Sequence, residues 1–295
     1  WALRMAWPAT HDGGRPMAIL EWRLYEAGFC THPERATRRD AGLQACEFPA
    51  LVPVLRHAEH GWILFDTGYS EHFLKATSAL PERLYRVVTP VHLPPQDTLA
   101  SQLRRDGIAP TDVAWVVLSH MHGDHVGGLA DFPQARLACA RAAWDDLHAH
   151  GRIGAFRRGL LPSLLHGRQE AMIRWFEALP QRSLPAALHL LDDGYDLFGD
   201  GSLLLVPLPG HAPGHYGAVF DDGKGPVFLV ADASWSSQAI RDNVPPPAAV
   251  TGWLGDTATY RETLARLHAL HHASPEVRIV PSHGRDWRPS REPRA

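Results

Sequence analysis

The chain has 295 residues, of which 45% are hydrophobic and 21% are charged, and these proportions exclude a disordered or fibrous protein. Its formal net charge of −3 argues against nucleic-acid binding, which requires a net basic surface. The sequence contains no run of about 18 apolar residues that could cross a membrane. Its three cysteines include no CxxC pair, so neither a disulfide framework nor a thiolate zinc site is expected.

The amino-terminal segment WALRMAWPATHDGG, residues 1–14, lacks the long apolar core and the small-residue cleavage site of a secretory signal. We therefore expect a soluble, cytoplasmic protein, either a monomer or a homodimer. The composition has one outlier, because 19 residues are histidine and several of these are closely spaced.

Short apolar runs bounded by turn residues predict strands and one helix in the first half of the chain. The strand that ends at Phe65 is followed at once by Asp66-Thr67-Gly68, which indicates a buried strand that stops abruptly. The expected elements, in order, are strands at 17–29, 48–57 and 62–65, a helix at 97–106 and a buried strand at 115–119.

The second half continues the alternation of strands and helices. Residues 151–180 are predicted to be a longer helical stretch, broken by Pro162, that is inserted on one face of the domain. The other expected elements are strands at 135–140, 188–191, 202–208, 217–222, 226–232 and 277–284, and helices at 141–150 and 257–271. Interleaved strands and helices favour one layered α/β domain over residues 1–295.

Four potential metal ligands lie within six residues, directly after the predicted strand at 115–119. Because the end of a strand is rigid, alternate residues that leave it, His120 and His122, can point to one centre. Asp124 and His125 follow Gly123, which permits a sharp bend, and can point to a second centre beside the first. Imidazole and carboxylate donors together suit a borderline divalent ion.

Three further residues of ligand type follow predicted strands in the same way: His211, Asp232 and His283. A single histidine after a strand is usually a surface residue, so none of the three is convincing alone. Together with the first cluster they predict a metal centre at one edge of a sheet. By contrast, His57 and His60 flank a turn, and we expect no convergent partners for them.

The HxHxDH run, the PGHAPGH segment at 209–215, Asp232 and the Ser-His-Gly at 282–284 resemble, in this order, the metallo-β-lactamase superfamily of hydrolases. The resemblance extends from the FDTG at 65–68 to His283. It implies a four-layer αβ/βα sandwich, in which two mixed sheets pack face to face with helices outside, and a dinuclear metal site at one edge. The 151–180 insertion is expected near this active-site face.

The resemblance also implies a role for each of these residues. It assigns His120, His122 and His211 to a first metal ion, and Asp124, His125 and His283 to a second ion. Asp232 would bridge the two ions, and His215 would support its loop without binding metal. We expect Asp66 either to orient a metal ligand from outside or to cap the turn at Thr67–Gly68.

The bridging Asp232 makes the sequence more similar to the lactonase, glyoxalase II and organophosphate-hydrolase branches than to the true β-lactamases. Two ions, expected to be Zn²⁺ with Fe, Mn or Co as alternatives, would lower the pKa of a shared water and hold it as hydroxide. The expected reaction is attack on a small-molecule lactone or carboxylic ester, with Asp124 accepting the proton. Acyl homoserine lactones are the leading substrates.

Phosphodiester or phosphotriester hydrolysis and thioester hydrolysis remain alternatives, because the same pair of ions can catalyse these reactions. A binding module without activity would be expected to have lost a ligand, and all seven positions are filled. An iron oxidoreductase of this superfamily generally needs a flavin domain, for which the length leaves no room.

Many N-acyl homoserine lactonases have a tyrosine where this sequence has Trp235. We therefore place Trp235 in the substrate pocket, and the identity of the substrate stays open.

Overall fold

The computed structural model describes residues 18–165, 167–168 and 170–289. The prediction about a secretory signal at residues 1–14 therefore lies outside the described residues. The strands are β1 Ile19–Pro33, β2 Ala45–His57, β3 Gly61–Phe65, β4 Val91–His92, β5 Val113–Val117, β6 Arg136–Cys139, β7 Ile173–Trp175, β8 Gln181–Arg182, β9 Gly194–Asp196, β10 Leu204–Pro207, β11 Tyr216–Asp221, β12 Pro226–Ala231 and β13 Arg278–Pro281. The α-helices are α1 Glu71–Ala76, α2 Arg83–Val88, α3 Leu99–Arg105, α4 Gly123–Val126, α5 Arg141–Ala149, α6 Arg152–Arg157, α7 Ser237–Asp242, α8 Ala248–Leu254 and α9 Thr257–Ala273.

These strands form two mixed sheets. Within the described residues, the first sheet has seven strands in the order β4-β1-β2-β3-β5-β6-β7, and the second has six in the order β13-β12-β11-β10-β9-β8. In the first sheet β3, β5, β6 and β7 are parallel, and in the second β12 and β13 are parallel. The helices α3 and α5 connect parallel strands of the first sheet, as crossover connections require.

Alternating side chains of the second sheet pack on two different layers. On one face, Leu205, Phe220 and Leu229 join the core shared with the first sheet. On the other face, Leu204 and Phe228 pack with the apolar side of α9. This period of two is what a strand covered on both faces produces. The predicted α/β sandwich is therefore confirmed. No helix of the described residues is long and apolar enough to cross a membrane.

Two predicted elements are wrong. Among its described residues, the helical stretch expected over 151–180 contains one α-helix, α6, because Gly159 adopts a φ of +74° and Pro162 starts the first of three short 3₁₀ turns. Further along, β7 pairs with β6 at the edge of the first sheet. The strand expected at 188–191 is replaced by a 3₁₀ turn, Ala186–Leu188, that follows Pro185, and Leu188 is buried in the core beneath α9.

Candidate metal centre

The predicted ligands all lie beyond the carboxyl ends of strands. The loop after β5 carries His120, His122, Asp124 and His125, and it leads into the single-turn helix α4. In the second sheet, the ends of β10, β12 and β13 are followed by three further ligand-type residues: His211, Asp232 and His283. Since β10, β12 and β13 run in the same direction, their carboxyl ends meet at one edge of the sheet.

Three histidines form the first group of donors. The Nδ1 atom of His122 lies 3.0 Å from Nε2 of His120 and 3.0 Å from Nε2 of His211. The Oδ2 atom of Asp232 lies 3.2 Å from Nε2 of His211. All four side chains are buried, and their ligand atoms are close enough to share one ion.

Asp124, His125 and His283 form the second group. The Nε2 atom of His283 is 3.4 Å from Oδ2 of Asp124 and 3.3 Å from Oδ1 of Asp232. The Nε2 atom of His125 is likewise 3.3 Å from Oδ1 of Asp232. The structure thus brings all seven predicted ligands together, and the two oxygens of Asp232 face the two different groups.

Hydrogen bonds on the outer side of the cluster orient the histidines. Nδ1 of His125 donates to Asp66 over 2.8 Å, and Nδ1 of His283 donates to the carbonyl oxygen of Pro49 over 2.7 Å. Nδ1 of His120 lies 2.9 Å from the hydroxyl of Ser119, which itself donates to Asp66. In the neutral form of each ring Nδ1 therefore carries the proton, and the Nε2 lone pair points into the cluster.

One buried ring nitrogen indicates that these residues can hold a cation. Among the described residues, Nε2 of His125 is buried and has no hydrogen-bond partner. A buried polar atom without a partner costs about 1–3 kcal/mol. Acceptor oxygens of Asp232 and Asp124 lie 3.3 and 3.7 Å from it, so a positive ion, rather than a further acceptor, would satisfy it. The donor set therefore fits divalent metal ions.

The pKa shifts differ between the two groups. Burial lowers the pKa of His122 to about 4 and, with the neighbouring histidines, holds the pKa of His120 well below its usual value. Burial also opposes the charged form of His125 and His283, but nearby carboxylates, led by Asp232, outweigh it and raise both pKa values. The carboxylates therefore favour positive charge beside His125 and His283.

The structure also places the supporting residues. Asp66 accepts hydrogen bonds from the backbone and the hydroxyl of Ser119 and from His125, so its carboxylate faces the cluster and not the Thr67–Gly68 turn. His215 donates through Nδ1 to the carbonyl oxygen of Leu208 and accepts through Nε2 from the backbone N–H of Asp232. Both of its ring nitrogens are thereby occupied by the backbone.

Sequence reasoning missed the roles of two serines. Ser119 precedes His120 and Ser282 precedes His283, and each serine hydroxyl donates to a carboxylate of the cluster, Asp66 and Asp232 respectively. The signal was the repeated Ser-His pair at two strand ends. The Pro49 carbonyl had no comparable signal, because it is 234 residues away from His283.

The segment after α6 contacts the loop that carries the first ligands. The backbone N–H of Gly123 donates to the carbonyl oxygen of Gly159 over 3.1 Å. His122 and Leu160 form an isolated antiparallel bridge. A side chain at Gly159 would meet the imidazole of His122 at 3.4 Å. The beginning of the 151–180 region therefore lies against the cluster.

A second histidine cluster lies at the other end of β2, contrary to the prediction for His57 and His60. Nε2 of His57 is 3.4 Å from Oδ2 of Asp200, and the rings of His57 and His60 have centroids 4.5 Å apart. The prediction failed because Asp200 belongs to the turn between β9 and β10, which is distant in sequence but adjacent in the sandwich.

The fold and the donor set define a metalloprotein built on an α/β sandwich. The chain belongs to the Metallo-beta-lactamase superfamily, whose family profile matches residues 49–283. The resemblance inferred from the HxHxDH run and the later strand ends is therefore confirmed.

Curated relatives include N-acyl homoserine lactonase AttM of Azorhizobium caulinodans, which is 31% identical over 196 residues, covering 64% of this chain and 65% of that protein. The matches to AttM and to the lactonases of Bacillus cereus and Rhizobium radiobacter span 65%, 66% and 63% of those proteins, somewhat less than two thirds of their length. These names agree with the prediction of a metal-dependent hydrolase.

Solved structures share the fold over most of the chain. An N-acyl homoserine lactone hydrolase with the product N-hexanoyl-L-homoserine at its catalytic metal centre has a TM-score of 0.70 at 19% identity, over 92% of this chain and 95% of that one. A dizinc quorum-quenching lactonase in complex with a product has a TM-score of 0.58 at 17% identity, over 90% and 89% of the two chains. Both comparisons confirm the predicted fold.

Proposed function

We propose that this protein is a dinuclear metal-dependent hydrolase that opens lactones, with N-acyl homoserine lactones as the leading substrates and carboxylic esters as further ones. The observation that carries the proposal is the position of Asp232. Its Oδ2 faces His211 at 3.2 Å, and its Oδ1 faces His125 and His283 at 3.3 Å each. A carboxylate placed in this way can bridge two ions.

In this proposal His120, His122 and His211 would hold the first ion, Asp124, His125 and His283 would hold the second, and Asp232 would contribute to both. Zn²⁺ is the proposed ion, because imidazole and carboxylate donors suit it and a structural neighbour is a dizinc lactonase. When bound, the two ions polarise a carbonyl oxygen and lower the pKa of a water molecule.

We assign proton transfer to Asp124. Its side chain is 11% exposed, whereas that of Asp232 is 5% exposed, so Asp124 is the carboxylate that a substrate can reach more readily. A proton removed from the attacking water can rest on Asp124 and pass to the leaving oxygen when the ring opens. Asp66 and Ser119 hold His125 and His120 in fixed orientations during these steps.

The relatives support a lactone as the substrate. The curated matches are N-acyl homoserine lactonases, and a structural neighbour contains a ring-opened homoserine product at its metal centre. A lactone presents one carbonyl carbon to the nucleophile and keeps its leaving oxygen within the same molecule. The group that protonates this oxygen must be reachable by the substrate, and Asp124 is the more exposed of the two carboxylates in the cluster.

The proposal is tested by comparing substrates on zinc-loaded protein. We expect kcat/KM for N-hexanoyl homoserine lactone to exceed the values for a p-nitrophenyl ester, a phosphotriester, a thioester and a β-lactam. Asp124→Asn should lower the lactone value by about 100-fold or more, the scale of general acid–base catalysis. Asp192→Asn, at a carboxylate whose side chain is 82% exposed, is the matched control and should leave the value unchanged.

Two results would refute the proposal. One is a protein that binds two ions per chain and does not hydrolyse the lactone. The other is a higher kcat/KM for the phosphotriester or the thioester than for the lactone, which would establish the corresponding alternative.

A further inference from the structure

Asp232 is held at both carboxylate oxygens and at its backbone. The indole N–H of Trp235 donates to Oδ2 over 2.8 Å, and the hydroxyl of Ser282 donates to Oδ1. The backbone N–H of Asp232 donates to His215, and the preceding Ala231 adopts a φ of +45°. The carboxylate is thus fixed in one orientation by residues that are not themselves among the seven proposed ligands.

Trp235 uses its single donor in this contact. An indole has one N–H and no acceptor, so a Trp235 that donates to Asp232 does not donate to a substrate carbonyl at the same time. Its ring lies edge-on to that of His211, with centroids 5.6 Å apart, and it is half-buried. The side chain therefore faces the carboxylate and the three-histidine group.

We propose that Trp235 is a positioning residue for Asp232, which it directs toward the ion of the three-histidine group, and that it does not polarise the substrate carbonyl. This inference rests on the proposed function, because it assumes that Asp232 binds metal. The hydrogen bond restricts rotation of the carboxylate and keeps Oδ2 beside His211. Residues that orient metal ligands in this way typically contribute 10- to 100-fold to metal affinity.

The two donors on Asp232 act on different oxygens. Trp235 bonds Oδ2, which faces His211, whereas Ser282 bonds Oδ1, which faces His125 and His283. Loss of the indole N–H should therefore weaken mainly the ion of the three-histidine group. Loss of the Ser282 hydroxyl should weaken mainly the other ion.

The test variant is Trp235→Phe, which keeps an aromatic ring and removes the N–H. Trp22→Phe is the matched control, because the indole of Trp22 also donates over 2.8 Å to a carboxylate, that of Asp222. Asp222 lies in the turn after β11, at the opposite edge of the sandwich from the cluster. Both tryptophans are half-buried, so the two substitutions remove comparable contacts.

The measurement is the affinity for Zn²⁺, by competition with a chromophoric chelator, with ions counted per chain. We expect Trp235→Phe to bind one of its two ions about 10- to 100-fold more weakly and Trp22→Phe to match the unmodified protein. Trp235→Gln, which removes the ring but keeps an N–H donor, should recover part of the lost affinity. Thermal unfolding of the metal-free variants checks that each one folds.

Three results would overturn the inference. The first is unchanged zinc affinity in Trp235→Phe, including the case where kcat/KM for the lactone falls, which would make Trp235 a substrate contact. The second is an equal loss of affinity in Trp22→Phe, and the third is no recovery in Trp235→Gln. The readout contains no substrate, so it is independent of whether the unmodified protein opens lactones.

Discussion

Two histidine clusters lie at opposite edges of the sandwich, and each brings imidazoles and a carboxylate within ligand distance. In the candidate metal centre, Nδ1 of His125 and Nδ1 of His283 donate to acceptor oxygens, so in the neutral rings the Nε2 atoms carry the lone pairs. In the second cluster, Nδ1 of His57 accepts the backbone N–H groups of Glu59 and His60 over 3.0 and 3.1 Å. Nε2 of His57 therefore carries the proton, and it faces oxygens of the β9–β10 turn.

The difference shows that the hydrogen bond on the far side of an imidazole fixes which ring nitrogen can offer a lone pair to a metal ion. A neutral histidine has one donor and one acceptor nitrogen, and its neighbours fix which is which. Proximity alone does not separate the clusters, because the ligand atoms lie within 4.8 Å of one another in both groups of the metal centre and in the group of His57, His60 and Asp200. We therefore expect ions at the first cluster and none at the second.

The largest expected effect is the loss of a bound ion when a histidine is removed from the candidate metal centre and not from the second cluster. His211→Ala should reduce the metal content from two ions to one and lower kcat/KM for the lactone by more than about 100-fold, beyond the range of outer-sphere substitutions. His60→Ala, in the second cluster, should retain both ions and full activity. Elemental analysis and lactone turnover measure the two quantities, and loss of an ion from His60→Ala would contradict the comparison.

The next effect concerns the carboxylate beside each cluster. Asp66→Asn would place an amide N–H either toward the donors of His125 and the Ser119 hydroxyl or toward the backbone N–H of Ser119, and we expect zinc affinity to fall about 10- to 100-fold. Asp200→Asn makes the same change beside His57 and should leave zinc affinity unaltered. Chelator competition compares the variants, and equal zinc affinity in the two would show that Asp66 does not orient a ligand.

The smallest effect is a pH dependence of stability in the second cluster. Burial, assisted by His60 and opposed by Asp200, lowers the pKa of His57 from 6.5. The unfolded chain therefore takes up this proton first, and the free energy of unfolding falls as the pH falls below 6.5. The contribution of one proton is at most about 1.4 kcal/mol per pH unit.

The variant that isolates this effect is His57→Gln, which cannot be protonated. Denaturant unfolding of the zinc-loaded protein between pH 7 and pH 5 should show a shallower decline in stability for His57→Gln than for the unmodified chain. An identical decline in both proteins would mean that His57 does not contribute.

The sequence was informative where a residue's role depends on its place after a strand. His120, His211 and His283 could be predicted as neighbours, because strand ends gather at a sheet edge. The 151–180 region could not be predicted, because its apolar residues suit helix and strand equally over the short length of β7. The tautomers of His57 and His283 could not be predicted from the sequence either, since they depend on backbone groups that tertiary packing brings beside the rings.

The proposed ligands come from both sheets. The loop after β5 in the first sheet provides four, and the second sheet provides the other three. Ions bound between them would cross-link the two halves of the polypeptide without a covalent bond. Free zinc at 100 times its dissociation constant would then add about 2.7 kcal/mol to stability for each site. Metal starvation should consequently shorten the survival of the folded chain as well as stop its chemistry.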